Sequence, residues 1–266
     1  MVDVTVTPVD RGTMHLDENY AIEHATVATA SEPTPEAERV AGKVYNLVVD
    51  HPETTLLWDT GSHPAAGDGR WPDALYDAFE HADAAERDLP TALGEVGYSV
   101  ADIDCVVQSH LHVDHAGGLH HFAGTDVPVY VHEAELKHAY YSAKTGEGSG
   151  GYLTEDFDHD LHWQVLHGDE TNFEGVDFLH LPGHTPGLVG LRVDIDGYGT
   201  ALFIGDQADE RANYDEGVPM GGGLLWSSQH WRESLRRVRD LQRRTDAEVF
   251  CGHASEDFER LRGGLP

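Results

Sequence analysis

Cationic side chains are scarce in this 266-residue chain, which has 48 Asp and Glu against 17 Lys and Arg and a formal charge of −31. Only Lys43, Lys137 and Lys144 are lysines. An acidic surface repels the phosphates of nucleic acids and of anionic lipids, which argues against both as partners. Self-repulsion is tolerated where salt screens it, because the Debye length falls to about 3 Å at 1 M salt. The charge therefore favours a protein from a high-salt cytoplasm over an ordinary acidic soluble protein.

Cysteines and long apolar runs are also lacking. Cys105 and Cys251 each lie in a short apolar run, which predicts buried free thiols rather than a disulfide framework. The N-terminus lacks the basic and apolar segments of a signal peptide. No apolar run approaches the roughly 20 residues of a membrane span. With 39% hydrophobic residues, residues 1–266 are predicted to form a single soluble cytoplasmic domain, as a monomer or homodimer.

A short apolar run that stops at a polar cluster recurs along the chain. Runs of four to six residues with β-branched side chains are typical of strands. The strands predicted in this way cover residues 44–49, 55–58, 105–107, 176–181, 200–204 and 248–251. A helix is predicted to begin at Ser227 or Ser228, and residues 71–97 show a looser helical pattern. This mixture of strands and helices indicates a layered α/β sandwich.

Residues 110–115, His-Leu-His-Val-Asp-His, directly follow one of these strands. Alternate residues of an extended segment point the same way, so His110 and His112 can bind one cation together. The tighter turn that follows directs Asp114 and His115 to a different point. Imidazole and carboxylate ligands suit Zn²⁺, Mn²⁺, Fe²⁺ or Co²⁺. The segment therefore predicts a metal site.

Other polar residues follow short strands in the same way, namely His184, Asp206 and His253. Sites built from the ends of neighbouring strands converge on one edge of a sheet. We therefore expect these side chains to join the same metal site. Asp59, which follows residues 55–58, is expected to orient a ligand histidine or its loop rather than to bind metal.

The order of these motifs, HxHxDH, PGHTPG, GD and GH, with Asp59 in LLWDTG, resembles the metallo-β-lactamase superfamily from about Tyr45 to His253. The resemblance implies a four-layer αββα sandwich with two divalent ions at one edge, Zn²⁺ first and Mn²⁺, Fe²⁺ or Co²⁺ as alternatives. It implies a first ion on His110, His112 and His184, a second on Asp114, His115 and His253, and Asp206 as the bridge. A histidine at position 112, where redox di-iron relatives carry glutamate, favours a hydrolase.

Within that superfamily, SHLHVDHAGG, LHLPGHTPG and GDQADERANYDEGVP are similar to the N-acyl-homoserine lactonases. The similarity implies opening of a lactone ring by a metal-bridged hydroxide, with Asp114 passing a proton to the leaving alkoxide. One position departs from that family, which often has a tyrosine three residues after the bridging aspartate to hold the substrate carbonyl. This chain has Asp209 there, and an ionised carboxylate cannot donate a hydrogen bond. Asp209 is expected to oppose the oxyanion, unless Tyr214 supplies the phenol.

Three other functions are consistent with the metal motif. A glyoxalase-II-like thioester hydrolase is disfavoured because only residues 254–266 follow the last ligand. A phosphodiesterase or nuclease is disfavoured by the charge of −31. A non-catalytic metal-binding protein is disfavoured because every group needed for hydrolysis is present. A lactone or ester is therefore the expected small-molecule substrate.

Overall fold

The computed structural model describes residues 3–266, which contain a six-stranded and a five-stranded sheet. The first sheet has the order β1-β2-β3-β4-β5-β6. Its strands are β1 (Thr5–Asp17), β2 (Arg39–His51), β3 (Thr54–Trp58), β4 (Cys105–Val107), β5 (Pro128–His132) and β6 (His162–Leu166). The second sheet has the order β11-β10-β9-β8-β7. Its strands are β7 (Glu170–Phe173), β8 (Val176–His180), β9 (Val189–Ile195), β10 (Gly199–Phe203) and β11 (Glu248–Phe250).

The helices lie on the outer faces of the sheets and at their edges. They are α1 (Glu18–Ala21), α2 (Asp73–Ala78), α3 (Leu89–Glu95), α4 (Val113–Ala116), α5 (Glu133–Thr145), α6 (Thr154–Phe157), α7 (Arg211–Asp215), α8 (Ser228–Thr245) and α9 (Ser255–Leu261). Helix α8 begins where predicted, because the Ser227 side chain accepts a hydrogen bond from the backbone N–H of His230. In the part of the chain described, no helix is long and apolar enough to cross a membrane.

Three apolar layers hold the sandwich together. Between the sheets, Leu47 and Trp58 pack in one cluster with Phe203 and Phe250. The other face of the first sheet packs against α3 and α5, and the other face of the second sheet packs against α8. Burial of these faces on both sides of each sheet is the main stabilising contribution. The predicted αββα architecture is confirmed, and Cys105 and Cys251 are buried free thiols as expected.

Five strands lie outside the predicted set, namely β1, β5, β6, β7 and β9, and one predicted helical region is divided. The looser pattern over residues 71–97 forms only α2 and α3, because the chain between them pairs with β1 through two hydrogen bonds joining Glu80 and His15. Strand β1 was not predicted, since a bulge between Asp10 and Thr13 interrupts its alternation. Buried Arg11 lies in that bulge and donates hydrogen bonds to the Asn46 side chain and to the Thr60 carbonyl.

Parallel pairing brings together the polar residues that follow the strands. Trp58 lies opposite Val107 in the β3–β4 pair, and Phe203 lies opposite Phe250 in the β10–β11 pair. Asp206 and His253 each come three residues after these last strand positions, so they leave the second sheet side by side. Strand β8 is antiparallel to β9, which is antiparallel to β10, and it therefore ends at the same edge.

Candidate metal centre

Residues 110–115 are held in the predicted extended-then-turned conformation by contacts from two other segments. The backbone N–H of Leu111 donates to Glu135 Oε1 at 2.9 Å, which fixes the chain between the first two histidines. The N–H of Val113 donates to the Gly151 carbonyl at 2.9 Å, where α4 begins. His112 is the N-cap of that helix. The change from extended to helical backbone turns Asp114 and His115 away from His110 and His112.

The first group of ligand atoms is formed by three imidazoles. His110 Nε2 lies 3.0 Å from His112 Nδ1, which lies 2.9 Å from His184 Nε2. In a tetrahedral zinc site with bonds of about 2.0 Å, neighbouring ligand atoms are about 3.3 Å apart. The three nitrogens therefore already have the spacing of ligands around one cation.

The second group combines carboxylates with imidazoles. Asp114 Oδ2 lies 3.4 Å from His115 Nε2 and 3.6 Å from His253 Nε2. Asp206 lies between the two groups, because its Oδ2 is 3.4 Å from both His184 Nε2 and His253 Nε2, while its Oδ1 is 3.4 Å from His115 Nε2. The structure thus brings together all seven predicted ligand residues, each at most 8% exposed.

These residues fit a divalent metal. Within residues 3–266, His115 Nε2 and Asp206 Oδ1 are buried without a hydrogen-bond partner. Buried polar atoms without a partner are costly, and a cation bound between them would remove that cost. Nitrogen and carboxylate oxygen are also the ligand atoms that Zn²⁺, Mn²⁺, Fe²⁺ and Co²⁺ accept.

The outward-facing nitrogens of four imidazoles have hydrogen-bond partners, and the carbonyl and the carboxylate among them favour the required tautomer. His253 Nδ1 lies 2.9 Å from the Lys43 carbonyl, which can only accept, so its Nε2 is free to bind a cation. His115 Nδ1 lies 2.9 Å from Asp59 Oδ2. His110 Nδ1 lies 3.0 Å from Ser109 Oγ, and His112 Nε2 lies 3.0 Å from Ser149 Oγ. Hydrogen bonds of this kind orient metal-binding imidazoles.

Asp59 supports both groups at once. Its Oδ2 accepts hydrogen bonds from the ring of His115 and from Ser109 Oγ, at 2.9 and 2.6 Å, while its Oδ1 accepts from the Ser109 N–H at 2.7 Å. Ser109 Oγ in turn accepts from His110. The Asp59 backbone has a left-handed φ of 62°, which is uncommon for a non-glycine residue and recurs at functional sites. As expected from the sequence, Asp59 orients histidines.

The histidines of the site fall into two sets, one with lowered and one with raised pKa values. Burial holds the pKa of His110, His112 and His184 below the ordinary value. Burial also acts to lower the pKa of His253, but the carboxylates of Asp206, Asp209 and Asp114 together outweigh it and raise that pKa to about 10. The pKa of His115 is raised for the same reason. The centre therefore favours positive charge beside its carboxylates, and a bound cation would displace protons there.

Three supporting residues were missed by the sequence analysis. Glu135 of α5 is fully buried, and its Oε1 accepts from Tyr152 Oη at 2.8 Å as well as from Leu111. The Tyr152 ring packs against His112 with 4.4 Å between centroids. Ser149 lies in the glycine-rich loop that follows α5. No spacing relative to residues 110–115 marks these positions, because only the fold places them beside His112.

Asp209 and Tyr214, the alternative replacements for the family's tyrosine, occupy different surroundings. Asp209 is 6% exposed and lies near Asp206 and His253, and burial followed by the charge of Asp206 raises the pKa of its carboxyl group. Tyr214 packs in the core beneath α8, and its hydroxyl donates to Gln242 Oε1 at 2.5 Å. The structure therefore brings Asp209, and not Tyr214, to the metal ligands.

A cavity of about 360 Å³ opens onto the candidate ligands. Its polar lining, called here the polar wall, includes His112, Asp114, His184, Asp206, Asp209, Glu210 and His253. Its apolar lining, called here the apolar wall, includes Met14, Leu16, Tyr20, Leu75, Phe79 and Leu224. Glycines complete the lining, and a side chain at Gly222 would collide with the Tyr20 ring. This close approach explains the glycine at position 222.

Comparison with known proteins agrees with this fold. Residues 39–253 match the Metallo-beta-lactamase superfamily. The chain therefore belongs to this superfamily, as the motifs predicted, and within it to the family that contains the N-acyl homoserine lactonase AiiB. The chain is 30% identical to AiiB of Agrobacterium fabrum, with 95% of this chain and 94% of AiiB covered. It is 26% identical to N-acyl homoserine lactonase AiiA of Bacillus thuringiensis subsp. kurstaki, over 91% and 92% of the two chains.

A solved structure gives the same result for the fold. An N-acyl homoserine lactone hydrolase with the product N-hexanoyl-L-homoserine bound at its catalytic metal centre superposes with a TM-score of 0.82. It is 24% identical in sequence, and the superposition covers 98% of this chain and 96% of that one. At this identity the likeness establishes the shared fold.

Proposed function

We propose that this chain is a metal-dependent hydrolase that opens the lactone ring of N-acyl homoserine lactones. The activity carried by the names of AiiB and AiiA, and the product-bound structure of the hydrolase with the same fold, support this assignment. The observation that carries it is the cavity, which joins a candidate metal centre to an apolar wall. Such a cavity fits a substrate with one reactive carbonyl and one acyl chain.

The proposed centre holds two divalent ions. His110, His112 and His184 would hold one, Asp114, His115 and His253 the other, and Asp206 would bridge them. Zn²⁺ is the first candidate, with Mn²⁺, Fe²⁺ and Co²⁺ as alternatives. When bound, such a pair supplies an acidified water and a polarised carbonyl.

The protein contributes positioning and proton transfer. Asp114 lines the cavity and lies beside His115 and His253, where it can hold a proton and donate it to the alkoxide oxygen as the ring opens. The apolar wall, with Leu16 and Phe79, would bury the acyl chain and exclude water around it. The substrate would therefore bind with its lactone ring at the metal centre and its acyl chain against the apolar wall.

A substrate panel tests the proposal. Purified protein loaded with Zn²⁺ or Mn²⁺ is assayed in about 2 M KCl, where surface repulsion is screened, against short- and long-chain acyl homoserine lactones, a simple ester, a thioester and a phosphodiester. We expect the acyl homoserine lactones to show the highest kcat/KM. Activity should be lost on chelation and return when metal is restored.

The same substrate panel distinguishes the alternative functions. Highest turnover of the thioester would replace the lactonase assignment with a glyoxalase-II-like one, and highest turnover of the phosphodiester would indicate a phosphodiesterase. Metal binding without turnover of any substrate would leave a non-catalytic metal protein. An acyl preference is tested by Phe79→Ala, which shortens the apolar wall and should reduce kcat/KM for long-chain more than for short-chain lactones.

A further inference from the structure

Asp209 is held beside His253 by the backbone. The N–H of His253 donates to the Asp209 carbonyl at 2.9 Å, and the N–H of Gly252 donates to the Ala208 carbonyl at 2.8 Å. These bonds join the loop after β10 to the loop after β11. A side chain at Gly252 would collide with the backbone of Gly205 and with Asp206, so the two loops lie in direct contact. The position of Asp209 is therefore fixed by the same pairing that places Asp206 and His253.

Among the residues that the structure describes, the Asp209 side chain has a buried oxygen without a hydrogen-bond partner. It is 94% buried, since its exposed fraction is 6%, and in residues 3–266 its Oδ1 has no hydrogen-bond donor. A ligand atom of Asp209 lies within 4.8 Å of ligand atoms of both Asp206 and His253, and Asp209 lines the cavity. A buried carboxylate oxygen without a donor is costly, and a cation shared with Asp206 and His253 would remove that cost.

We propose that Asp209 is an additional ligand of the cation on the Asp114–His115–His253 side of the centre. This inference rests on the two-metal centre proposed above and adds a residue that the family motifs do not supply. With Asp209, this side offers three carboxylates, from Asp114, Asp206 and Asp209, together with two imidazoles. The opposite side offers three imidazoles and the shared Asp206.

The extra carboxylate gives the two positions different metal preferences. Carboxylate-rich sets with more than four ligands suit Mn²⁺ better than Zn²⁺, which prefers four ligands in a tetrahedron. The position that includes Asp209 should therefore be the one that accepts Mn²⁺ more readily. A carboxylate that binds a cation has its negative charge compensated. In this proposal Asp209 therefore does not repel the oxyanion, contrary to the expectation from the sequence.

Metal titration of the full-length protein tests this assignment without an activity assay. Metal-free native protein, Asp209→Asn, Asp209→Glu and Glu210→Gln are titrated with Mn²⁺ alone and with Zn²⁺ alone. Bound metal is measured by equilibrium dialysis with elemental analysis, and bound Mn²⁺ also by electron paramagnetic resonance. Glu210→Gln is the matched control, because it removes the neighbouring carboxylate charge at the rim of the same cavity.

We expect native protein to bind two ions, and Asp209→Asn to bind one of its two Mn²⁺ ions about 10- to 100-fold more weakly, the range that lost metal-site contacts produce. The loss should be smaller for Zn²⁺. Asp209→Glu should restore most of the affinity, and Glu210→Gln should resemble native protein. Circular dichroism confirms that each variant is folded.

Two results would overturn the assignment while leaving the centre itself intact. The first is two native-like affinities in a folded Asp209→Asn variant. The second is an equal loss of affinity in Glu210→Gln, because the effect would then be one of general charge rather than ligation. If native protein binds no metal, the proposed centre fails, and the role of Asp209 fails with it.

Discussion

Two groups of neighbouring histidines in this chain show what distinguishes a metal centre from a histidine cluster. The inner group, defined as His110, His112, His115, His184 and His253, surrounds Asp206 and lies beside Asp114. The outer group is defined as His63, His120, His121 and His159. The ring centroids of the other three histidines lie 4.0 to 6.5 Å from the ring centroid of His120. Among residues 3–266, each set of ligand atoms close enough to share an ion comes from the inner group and its carboxylates.

The difference follows from the charges around the rings. Burial, the nearby Arg70 and the neighbouring rings lower the pKa of His63 to about 4, so His63 disfavours positive charge. At His253 of the inner group, the carboxylates of Asp206, Asp209 and Asp114 together outweigh burial and raise the pKa to about 10, whereas burial keeps the pKa of His110, His112 and His184 low. Carboxylates between the imidazoles, rather than the number of histidines, make a group attractive to a cation.

Removal of the shared carboxylate is the strongest test of this comparison. Asp206→Ala removes the carboxylate that lies between the two groups of ligand atoms, and we expect both ions to bind at least about a hundredfold more weakly, with activity lost in parallel. Metal content after dialysis measures the effect. Loss of only one ion would show that Asp206 is not shared. Folding is checked by circular dichroism.

A smaller effect is expected when the inner group loses its support. Asp59→Asn removes the charge that accepts hydrogen bonds from His115 and Ser109, and we expect metal affinity to fall about 10- to 100-fold. Chelator competition measures that affinity. Asp104→Asn is a control at a carboxylate that accepts a backbone N–H from Thr55, away from the cavity. A native affinity in Asp59→Asn would leave Asp59 with a purely structural role.

Salt should act on the exposed charges and not on the buried ones. With a formal charge of −31, the surface repels itself, and the melting temperature should rise between about 0.1 and about 2 M KCl as that repulsion is screened. Scanning calorimetry of metal-loaded protein measures the change. A flat or falling curve would remove the high-salt interpretation, while metal content should stay constant throughout.

The outer group should make stability depend on pH. The pKa of His63 and of His121 is lowered from 6.5 to about 4, chiefly by burial. Between these values the unfolded chain binds more protons than the folded one, so the free energy of unfolding should decrease as pH falls from 6.5 towards 4. A His63→Gln, His121→Gln double variant should show a shallower decrease in thermal melts, whereas exposed His167→Gln should not. An unchanged slope in the double variant would contradict the assignment.

The smallest effect is expected at Tyr214. Its hydroxyl donates to Gln242 in the core, outside the cavity lining, so Tyr214→Phe should cost about 1 kcal/mol of stability and leave kcat/KM nearly unchanged. Urea unfolding and lactone kinetics measure the two quantities. A large loss of kcat/KM in this variant would restore Tyr214 as a catalytic residue.

Much of the site was predictable from local pattern. Strand ends are recognisable because apolar alternation stops there, and parallel strands place their ends at one edge. Residues 110–115 carry their own geometry, since extended backbone followed by a turn separates two pairs of ligands. The αββα architecture followed from the resemblance, while β1 and the break between α2 and α3 did not, because each depends on pairing with distant residues such as Glu80.

What the sequence determined by itself is therefore the set of chemical groups: the histidines, the aspartates and the strands that carry them. The tertiary structure decided how those groups meet. It placed Asp209 against His253 and Tyr214 in the core, although both follow Asp206 within eight residues. It also joined the Lys43 carbonyl to His253, a contact across most of the chain. Contacts of this kind leave no local pattern, because they arise only when two sheets pack face to face.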